Sequence, residues 1–469
     1  MKARDMPIPS QRPAADVSTP TTNAIIPSTF TGYLKGMGPG IVVVMSWLGT
    51  GDFIGASVAG SNYGYALIWT LLIAVMSRYF IVSAIAKYQL CNQVGDKTIL
   101  DGFRRVWKGF PLYLGVTTCM LGFVYCTFLY IATGTALAEL VGMVVPLGPW
   151  GPFLGALVSL ALAIWIVTRG NKQMRWLEVL ANITMAILVL SFFAALMGTG
   201  IDFGALLSGL AFELPAGQNG YITAVSTSVA LIGAVGGSAA NLLYPYLIHD
   251  KGWTGPQHRK LQRFDLLFGT MVMFVLVLAV WVVAAETLHG TGEEISSEAG
   301  LAYMMQKAIG PAGPAIMWTA IFFTVFNNII TQPPVFVRLL MESIYMARPE
   351  REQRIRLRAQ DREASAKTMF RHDPAYWYIL IPVMTIPVLF SLPGMPGMVV
   401  VTMMGISFSV LTVPPIMVGL IVMTTRRDLM LERYLNRWWE TAVLASIGLV
   451  GLWATYELIG GLIGNFLPQ

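Results

Sequence analysis

The sequence predicts an all-α polytopic membrane protein with about eleven transmembrane helices. Hydrophobic residues make up 55% of the 469 residues and charged residues only 12%, and the mean hydropathy is +0.63. A soluble chain of this length needs roughly a quarter of its residues charged, so a soluble multidomain protein is excluded. The apolar stretches and the distribution of Lys and Arg along the chain supply the number of helices and their orientation.

A helix that crosses a bilayer needs about 20 mainly apolar residues. Applied to this chain, that criterion gives the following spans, numbered one to eleven: 37–62, 66–90, 112–145, 151–168, 176–198, 221–248, 264–288, 313–345, 375–392, 396–424 and 438–465. Residues 1–33 carry no apolar core of a signal peptide and are expected to form a disordered cytoplasmic tail. Residues 34–469 are expected to form one transmembrane domain.

Basic residues are expected to collect in the cytoplasmic loops of a membrane protein. The loops that follow the odd-numbered spans three, five, seven and nine contain a single basic residue, Lys307. The loops on the other side contain most of the others, including eight between Arg348 and Arg371. This asymmetry predicts a cytoplasmic amino terminus, an outer carboxyl terminus and a location in the cell (inner) membrane. It also explains the net charge of +6 without nucleic-acid binding. The 348–371 stretch has the spacing of a solvated helix.

Spans one and six each contain a flexible interruption near the middle. In span one the interruption is Gly49-Thr50-Gly51-Asp52, and in span six it is Gly236-Gly237-Ser238. A helix that unwinds within the membrane persists only where its freed N–H and C=O groups line a cavity or bind a ligand. Paired interruptions five spans apart predict an inverted-repeat transporter whose substrate site lies at the breaks. Repeat one would cover 37–198, repeat two 221–424, and 438–465 would be an extra helix.

Asp52 is the acidic residue at the first break. A charged carboxylate at membrane depth costs at least a few kcal/mol, whereas a serine would cap a helix without that cost. A cation ligand is therefore the preferred interpretation, and an N-cap of the second half of span one is the alternative.

Four stretches resemble the natural-resistance-associated macrophage protein (Nramp) family of divalent metal transporters, from about Gly38 to Trp439. They read GPGIVVVMSWLGTGDFIGASVAGSNYGY in span one, IATGTALAELVG in span three, LLMESI at 339–344 and TRRDLMLERYLNRWW after span ten. The resemblance implies the LeuT-type fold, in which an inverted 5+5 repeat with broken helices 1 and 6 is followed by an eleventh helix. It also implies a divalent metal ion as substrate.

The chain departs from the family at the metal site. The family's Asp-Pro-Gly-Asn becomes Gly49 to Asp52, its Met-Pro-His becomes Gly237-Ser238-Ala239, and a glutamine becomes Thr412. Loss of the thioether favours hard ions such as Mg²⁺, with Mn²⁺ tolerated, and resembles the Nramp-related magnesium transporters. The candidate substrate residues are Asp52, Gly49, Thr50, Gly236, Gly237, Ser238, Asn241 and Thr412.

The family's proton path is also altered. Ala136 replaces an aspartate, Glu139 is retained, and span nine contains no arginine. A lone carboxyl buried in low dielectric tends to stay protonated, so the departures imply uniport rather than proton symport. The other candidates for a relay or a structural ion pair are Glu178, Arg78, Arg338 and Glu342.

Two other functions stay open. A transporter of amino acids or amines with the same fold would use Asp52 to hold an ammonium group, and a non-transporting sensor would need no complete ligand set. An enzyme is not expected, because the sequence has no nucleophile–base pair, HExxH motif or P-loop. The three cysteines, Cys91, Cys119 and Cys126, are expected in the core. No cofactor, nucleic acid or protein partner is predicted, and the lipid bilayer is the expected surrounding.

Overall fold

The computed structural model describes residues 50–96, 98–169, 171–215, 223–236, 241–242, 244–360 and 366–466. Within these ranges the regular secondary structure is helical. A single isolated antiparallel bridge joins Asn92 to Met430. This all-α architecture confirms the predicted fold class.

In the described part of the chain, eight helices are long and apolar enough to cross a membrane. Spans two, three, four, seven, eight, nine, ten and eleven correspond to Ile68–Cys91, Phe110–Gly142, Gly148–Val167, Pro256–Leu288, Gly313–Ala347, Pro374–Ser391, Met398–Thr425 and Trp438–Gly461. Each lies at a position predicted from the apolar stretches.

The three remaining predicted spans, one, five and six, also contain helices. Span one is described from its middle onward, as the helix Thr50–Tyr63. Span five is the helix Asn171–Thr199. Span six begins as the α-helix Ala224–Leu231, continues as a π-helix over Ile232–Gly236 and resumes as the α-helix Tyr244–Asp250. Gly49, Gly237 and Ser238 lie outside the described residues.

Span ten departs from regular α-helix in its middle. Its first half is Met398–Ser407, a 3₁₀ segment covers Phe408–Thr412, and a second α-helix covers Val413–Thr425. Pro414 and Pro415 open the second half and have no backbone N–H to donate to the preceding turn. The prolines therefore explain why the α-helical hydrogen bonding is interrupted at this level of the membrane.

Charged contacts join elements on the side that carries most basic residues. Lys87 Nζ lies 2.9 Å from Glu440 Oε2 and so ties span two to the start of span eleven. The predicted solvated helix of the 348–371 stretch is present as Pro349–Gln360. Arg351 anchors that helix through a bidentate pair with Asp373, at 2.8 Å for both Nε and Nη2.

In the described part of the chain, four short α-helices occupy the connections between the spans. Three of them were not predicted from the sequence, because they are too short for the membrane criterion. The four are Ile99–Val106, Phe203–Ser208, Glu298–Ile309 and Pro349–Gln360. The amphipathic helix Ile99–Val106 starts at a capping box formed by Thr98 and Asp101.

Candidate functional site

Asp52, the principal predicted cation ligand, is buried. Its side chain is 4% exposed and lies in the first turn of the helix Thr50–Tyr63. Thr50, Gly51 and Asp52 are all helical, so the structure describes no interruption at these three residues, and Gly49 lies outside the described part of the chain.

A small cavity of about 30 Å³ adjoins Asp52. Apart from Asp52 it is lined by apolar side chains of spans one, five and seven, among them Phe53, Phe192 and Val277. A cavity of this volume holds about one water molecule or a bare ion of similar size. Asp52 is the one charged residue among the described residues that line this cavity.

Small residues let span six and span one approach span ten at this level. A Cβ added to Gly233, in the π-helical segment, would lie 2.5 Å from the carbonyl oxygen of Ile406. A Cβ added to Gly51 would lie 2.6 Å from Cγ2 of the same Ile406. π-Helical segments are rare and often occur at functional sites, because they shift the backbone hydrogen bonds by one residue. The described π-helix Ile232–Gly236 thus packs on span ten at Gly233, and of the predicted break it includes only Gly236.

Polar side chains of spans three and ten are buried near this packing. Thr412, one of the predicted substrate residues, is 1% exposed, and its hydroxyl donates to the carbonyl of Ser409 at 2.9 Å. The hydroxyl of Ser409 is hydrogen-bonded to that of Tyr125. Asn241, another predicted residue, is 2% exposed. The side chains of Thr50 and Ser238 lie outside the described part of the chain. The structure therefore describes only some of the predicted substrate residues.

Arg78 of span two enters the same region, which the sequence did not reveal. Its guanidinium is 1% exposed. Nη2 donates to the carbonyl of Ala234 in the π-helical segment at 2.6 Å, and Nη1 lies 3.0 Å from the sulfur of Met273. Asp52 is within electrostatic range of the guanidinium. The sequence analysis placed Arg78 among relay candidates because no local pattern shows which helix an intramembrane charge faces.

Two other ionisable candidates form a separate cluster on span eight. Nε of Arg338 donates to Oε1 of Glu342 at 2.8 Å, and Glu342 also accepts from the hydroxyl of Tyr246 in the second half of span six. The guanidinium of Arg338 stacks 4.8 Å above the ring of Tyr246. This cluster joins span eight to the helix that follows the break.

Glu139 differs from its sequence-based expectation. It was expected to be a buried carboxyl, but it is exposed, because it lies in the last turn of the helix Phe110–Gly142. Glu298 is within electrostatic range of it. The side chain of Glu178 lies outside the described part.

Among the described residues, no three His, Cys, Asp or Glu side chains come together as a potential metal site.

Comparison with known proteins supports a transporter fold. The chain resembles the structure of a manganese transporter from Eremococcus coleocola in complex with an aromatic bis-isothiourea substituted compound, with a TM-score of 0.66 and 15% identity, over 95% of this chain and 91% of that one. It also resembles MhsT in complex with L-phenylalanine, with a TM-score of 0.54 and 14% identity, over 90% and 98% of the two chains. At these identities the likeness shows the fold, the LeuT-type arrangement of transporters.

Curated relatives point to the same family. A protein of Deinococcus radiodurans described as divalent metal cation transporter MntH is 22% identical over 294 residues, which cover 61% of this chain and 64% of that protein. The chain therefore spans somewhat less than two thirds of that relative. A protein of Nostoc sp. with the same description is 22% identical over 438 residues, 90% of this chain and 91% of its own length. The family described as natural resistance-associated macrophage protein-like (Nramp) matches residues 40–460, and the chain belongs to this family.

Proposed function

We propose that the protein is a secondary transporter or uniporter of divalent metal ions, bound at the centres of spans one and six. The observation that carries the proposal is Asp52, a buried carboxylate in the first turn of a membrane helix beside an ion-sized cavity. Membership of the Nramp family and the description of its relatives as divalent metal cation transporters support it.

The donor set favours hard ions such as magnesium or manganese. Asp52 supplies the carboxylate, and backbone carbonyls at Gly49, Gly236 and Gly237 would supply neutral oxygens, as broken helices do in transporters. The hydroxyls of Thr50, Ser238 and Thr412 and the amide of Asn241 complete the proposed set. The metal is substrate, and the proposal needs no cofactor.

The proposed orientation follows the basic loops. The amino terminus and the Arg-rich loop before span nine are placed in the cytoplasm of a cell with the protein in its inner membrane, and the carboxyl terminus outside. Repeat one, residues 37–198, would rock against repeat two, residues 221–424, to expose the site to either side.

A second candidate function is transport of an amino acid or amine. Arg78 favours it, because a guanidinium next to a carboxylate can recognise a zwitterion through both of its charges. In that case Asp52 would hold the ammonium group and Arg78 the carboxylate.

Uptake into proteoliposomes distinguishes the two candidates. The purified protein is reconstituted with a metal-sensitive dye inside, and Mn²⁺, Mg²⁺ and a panel of labelled amino acids are added in turn. A dye response to Mn²⁺ or Mg²⁺ that is larger than the response of protein-free liposomes supports metal transport. Accumulation of an amino acid without any metal response refutes it and selects the second function.

A further inference from the structure

A cavity of about 760 Å³ opens at the start of span seven, on the side of the protein that carries most basic residues. Its lining includes three consecutive basic side chains of span seven, which are Arg259, Lys260 and Arg263. Span two contributes the ring of Tyr79, and the connection between spans ten and eleven contributes that of Tyr434. No acidic residue is among the described residues of the lining. The cavity therefore has the size of a small-molecule site and a positive charge.

Arg259 is the buried cation of this cavity and is 8% exposed. Its guanidinium donates to the hydroxyl of Ser83 at 2.9 Å and to the side-chain oxygen of Gln262, and both acceptors are neutral. Glu440 is within electrostatic range, but it forms an ion pair with Lys87 at 2.9 Å. A buried charge without a close counter-ion is costly, so an anion in the cavity would stabilise Arg259.

Arg263 adds a second positive charge one helical turn further along. It is exposed, and it is within electrostatic range of Arg259. Like charges four residues apart on one helix repel each other. A phosphate group between the two side chains would relieve this repulsion, because guanidinium groups bind phosphate oxygens through paired N–H donors.

The exposed face of span seven continues from the cavity as an apolar surface. Leu267, which lines the cavity, is 42% exposed, and Met271 is 51% exposed. Arg263, Leu267 and Met271 are spaced by four residues and therefore lie on one face of the helix. Arg259 and Met271 are about 18 Å apart along the helix axis. Exposed apolar side chains on a membrane span mark a surface that faces lipid, so the basic cavity adjoins the lipid-facing surface.

We propose that this cavity binds the headgroup of an anionic phospholipid, in the leaflet on the basic side of the protein. Arg259 and Arg263 bind the phosphate oxygens, and an acyl chain follows Leu267. Tyr79 and Tyr434 lie at the level of the headgroup, where tyrosines are common in membrane proteins. Basic pockets between spans are suited to anionic headgroups. A soluble anion would use the same arginines but would gain nothing from the apolar surface. The site is separate from Asp52 and does not depend on which substrate is carried.

Native mass spectrometry of the purified full chain in detergent tests the proposal. Phosphatidylglycerol, which has a net negative charge, is the probe, and phosphatidylcholine, which has a phosphate but no net charge, is the comparison. The wild-type protein should bind the first phosphatidylglycerol about ten-fold more tightly than phosphatidylcholine, because charge-assisted hydrogen bonds are strong. Arg263→Gln should reduce this preference by about three-fold or more. The exposed position of Arg263 means that this variant should fold normally.

Arg104→Gln is the matched control. Arg104 is an exposed arginine of the helix Ile99–Val106 in another basic loop on the same side, and it is not among the residues that line the cavity. This variant should keep the preference of the wild-type protein. An equal loss in the Arg104 and Arg263 variants would mean that the whole basic surface attracts the lipid, and it would overturn the proposal.

A third titrant separates the lipid from a soluble anion. Glycerophosphoglycerol is the headgroup of phosphatidylglycerol without its acyl chains, and it should compete only weakly with the lipid. Competition at equal concentration would show a site for a free anion and would overturn the lipid assignment. Equal affinity of the wild-type protein for phosphatidylglycerol and phosphatidylcholine would overturn the proposal regardless of the variants.

Discussion

At the scale of single residues, Asp52 and Arg78 are buried charged side chains of the proposed site. Both are almost fully buried, and they lie on different spans within electrostatic range of each other. Removing one member of a buried charge pair leaves the other without compensation, which is strongly destabilising. Substitutions at these positions therefore report on stability and on ligand binding at the same time.

Replacement of Asp52 by alanine should weaken metal binding at least ten-fold, because it removes the one carboxylate at the cavity. The thermal midpoint should also fall, because Arg78 loses its opposite charge, while gel filtration should still show a monodisperse protein. Calorimetry with Mn²⁺ measures the affinity. Glu139→Gln, which removes an exposed carboxyl of span three, is the control and should bind normally. Unchanged binding by Asp52→Ala would exclude Asp52 from the site.

The protein should prefer hard ions over Cd²⁺, although the structure shows a sulfur that the sequence analysis did not anticipate at the site. The thioether of Met273 contacts Arg78 rather than a carboxylate, so a cation that approaches it meets a positive charge. Competition between Cd²⁺ and Mg²⁺ for uptake tests this preference. If Cd²⁺ displaces Mg²⁺ at far lower concentration, and Met273→Leu removes that advantage, Met273 is a ligand and the expectation is wrong.

At the scale of elements, the approach of span six to span ten depends on Gly233. A methyl group at this position would meet the carbonyl oxygen of Ile406, a backbone atom that cannot rotate away. Gly233→Ala should cost about 1–3 kcal/mol by overpacking and should weaken metal binding by displacing the break. Thermal melting and calorimetry measure both effects. Gly142→Ala, with open space around the added methyl, should behave as wild type, and equal behaviour of the two variants would contradict this role.

The stability contributed by the contact between Arg351 and Asp373, just before span nine, should depend on pH. Burial alone would raise the pKa of this carboxyl, but hydrogen bonds from Arg351 and from the backbone of Ala375 outweigh burial and hold the pKa below its usual range. A lowered folded-state pKa contributes stability above the unfolded-state value of about 3.9, and this contribution is lost as the pH falls through the folded-state value. Asp373→Asn should therefore melt below wild type at pH 7.

This difference in melting temperature should be constant between about pH 7 and pH 5 and should shrink as the pH falls below about 4. Asp428→Asn is the control, because Asp428 pairs with Arg426 at an exposed position where an ion pair contributes little. A difference between wild type and Asp373→Asn that grows on acidification would contradict the assignment.

At the scale of the whole molecule, transport should proceed without proton movement. Glu139 is exposed near the end of span three, and Ala136 stands where the family resemblance implies the second acid of a proton path. The signal of a pH-sensitive dye inside proteoliposomes should stay constant while Mn²⁺ enters down its concentration gradient. Acidification that requires both the metal and the protein would refute uniport, and Glu342→Gln would then test the cluster on span eight.

The class of the protein and the order of its spans could be read from the sequence, because both depend on local properties. The length of an apolar run sets whether a helix crosses the membrane, and the distribution of basic residues sets its expected direction. The π-helix Ile232–Gly236 was not predicted, and of the predicted break at 236–238 the structure describes only Gly236. Short polar helices such as Ile99–Val106 were missed because their stability comes from a cap and from packing rather than from a long pattern.

The composition of the central site was decided by the tertiary structure. The sequence identified Asp52, because a carboxylate is costly in lipid. The contacts of Arg78 with Met273 and with the carbonyl of Ala234 depend on how spans two, six and seven pack together. Likewise, the exposure of Glu139 follows from where its helix ends relative to its neighbours. Periodicity in an all-apolar helix does not mark one face, so only the packing between spans distant in sequence selects which charged side chain meets which backbone carbonyl.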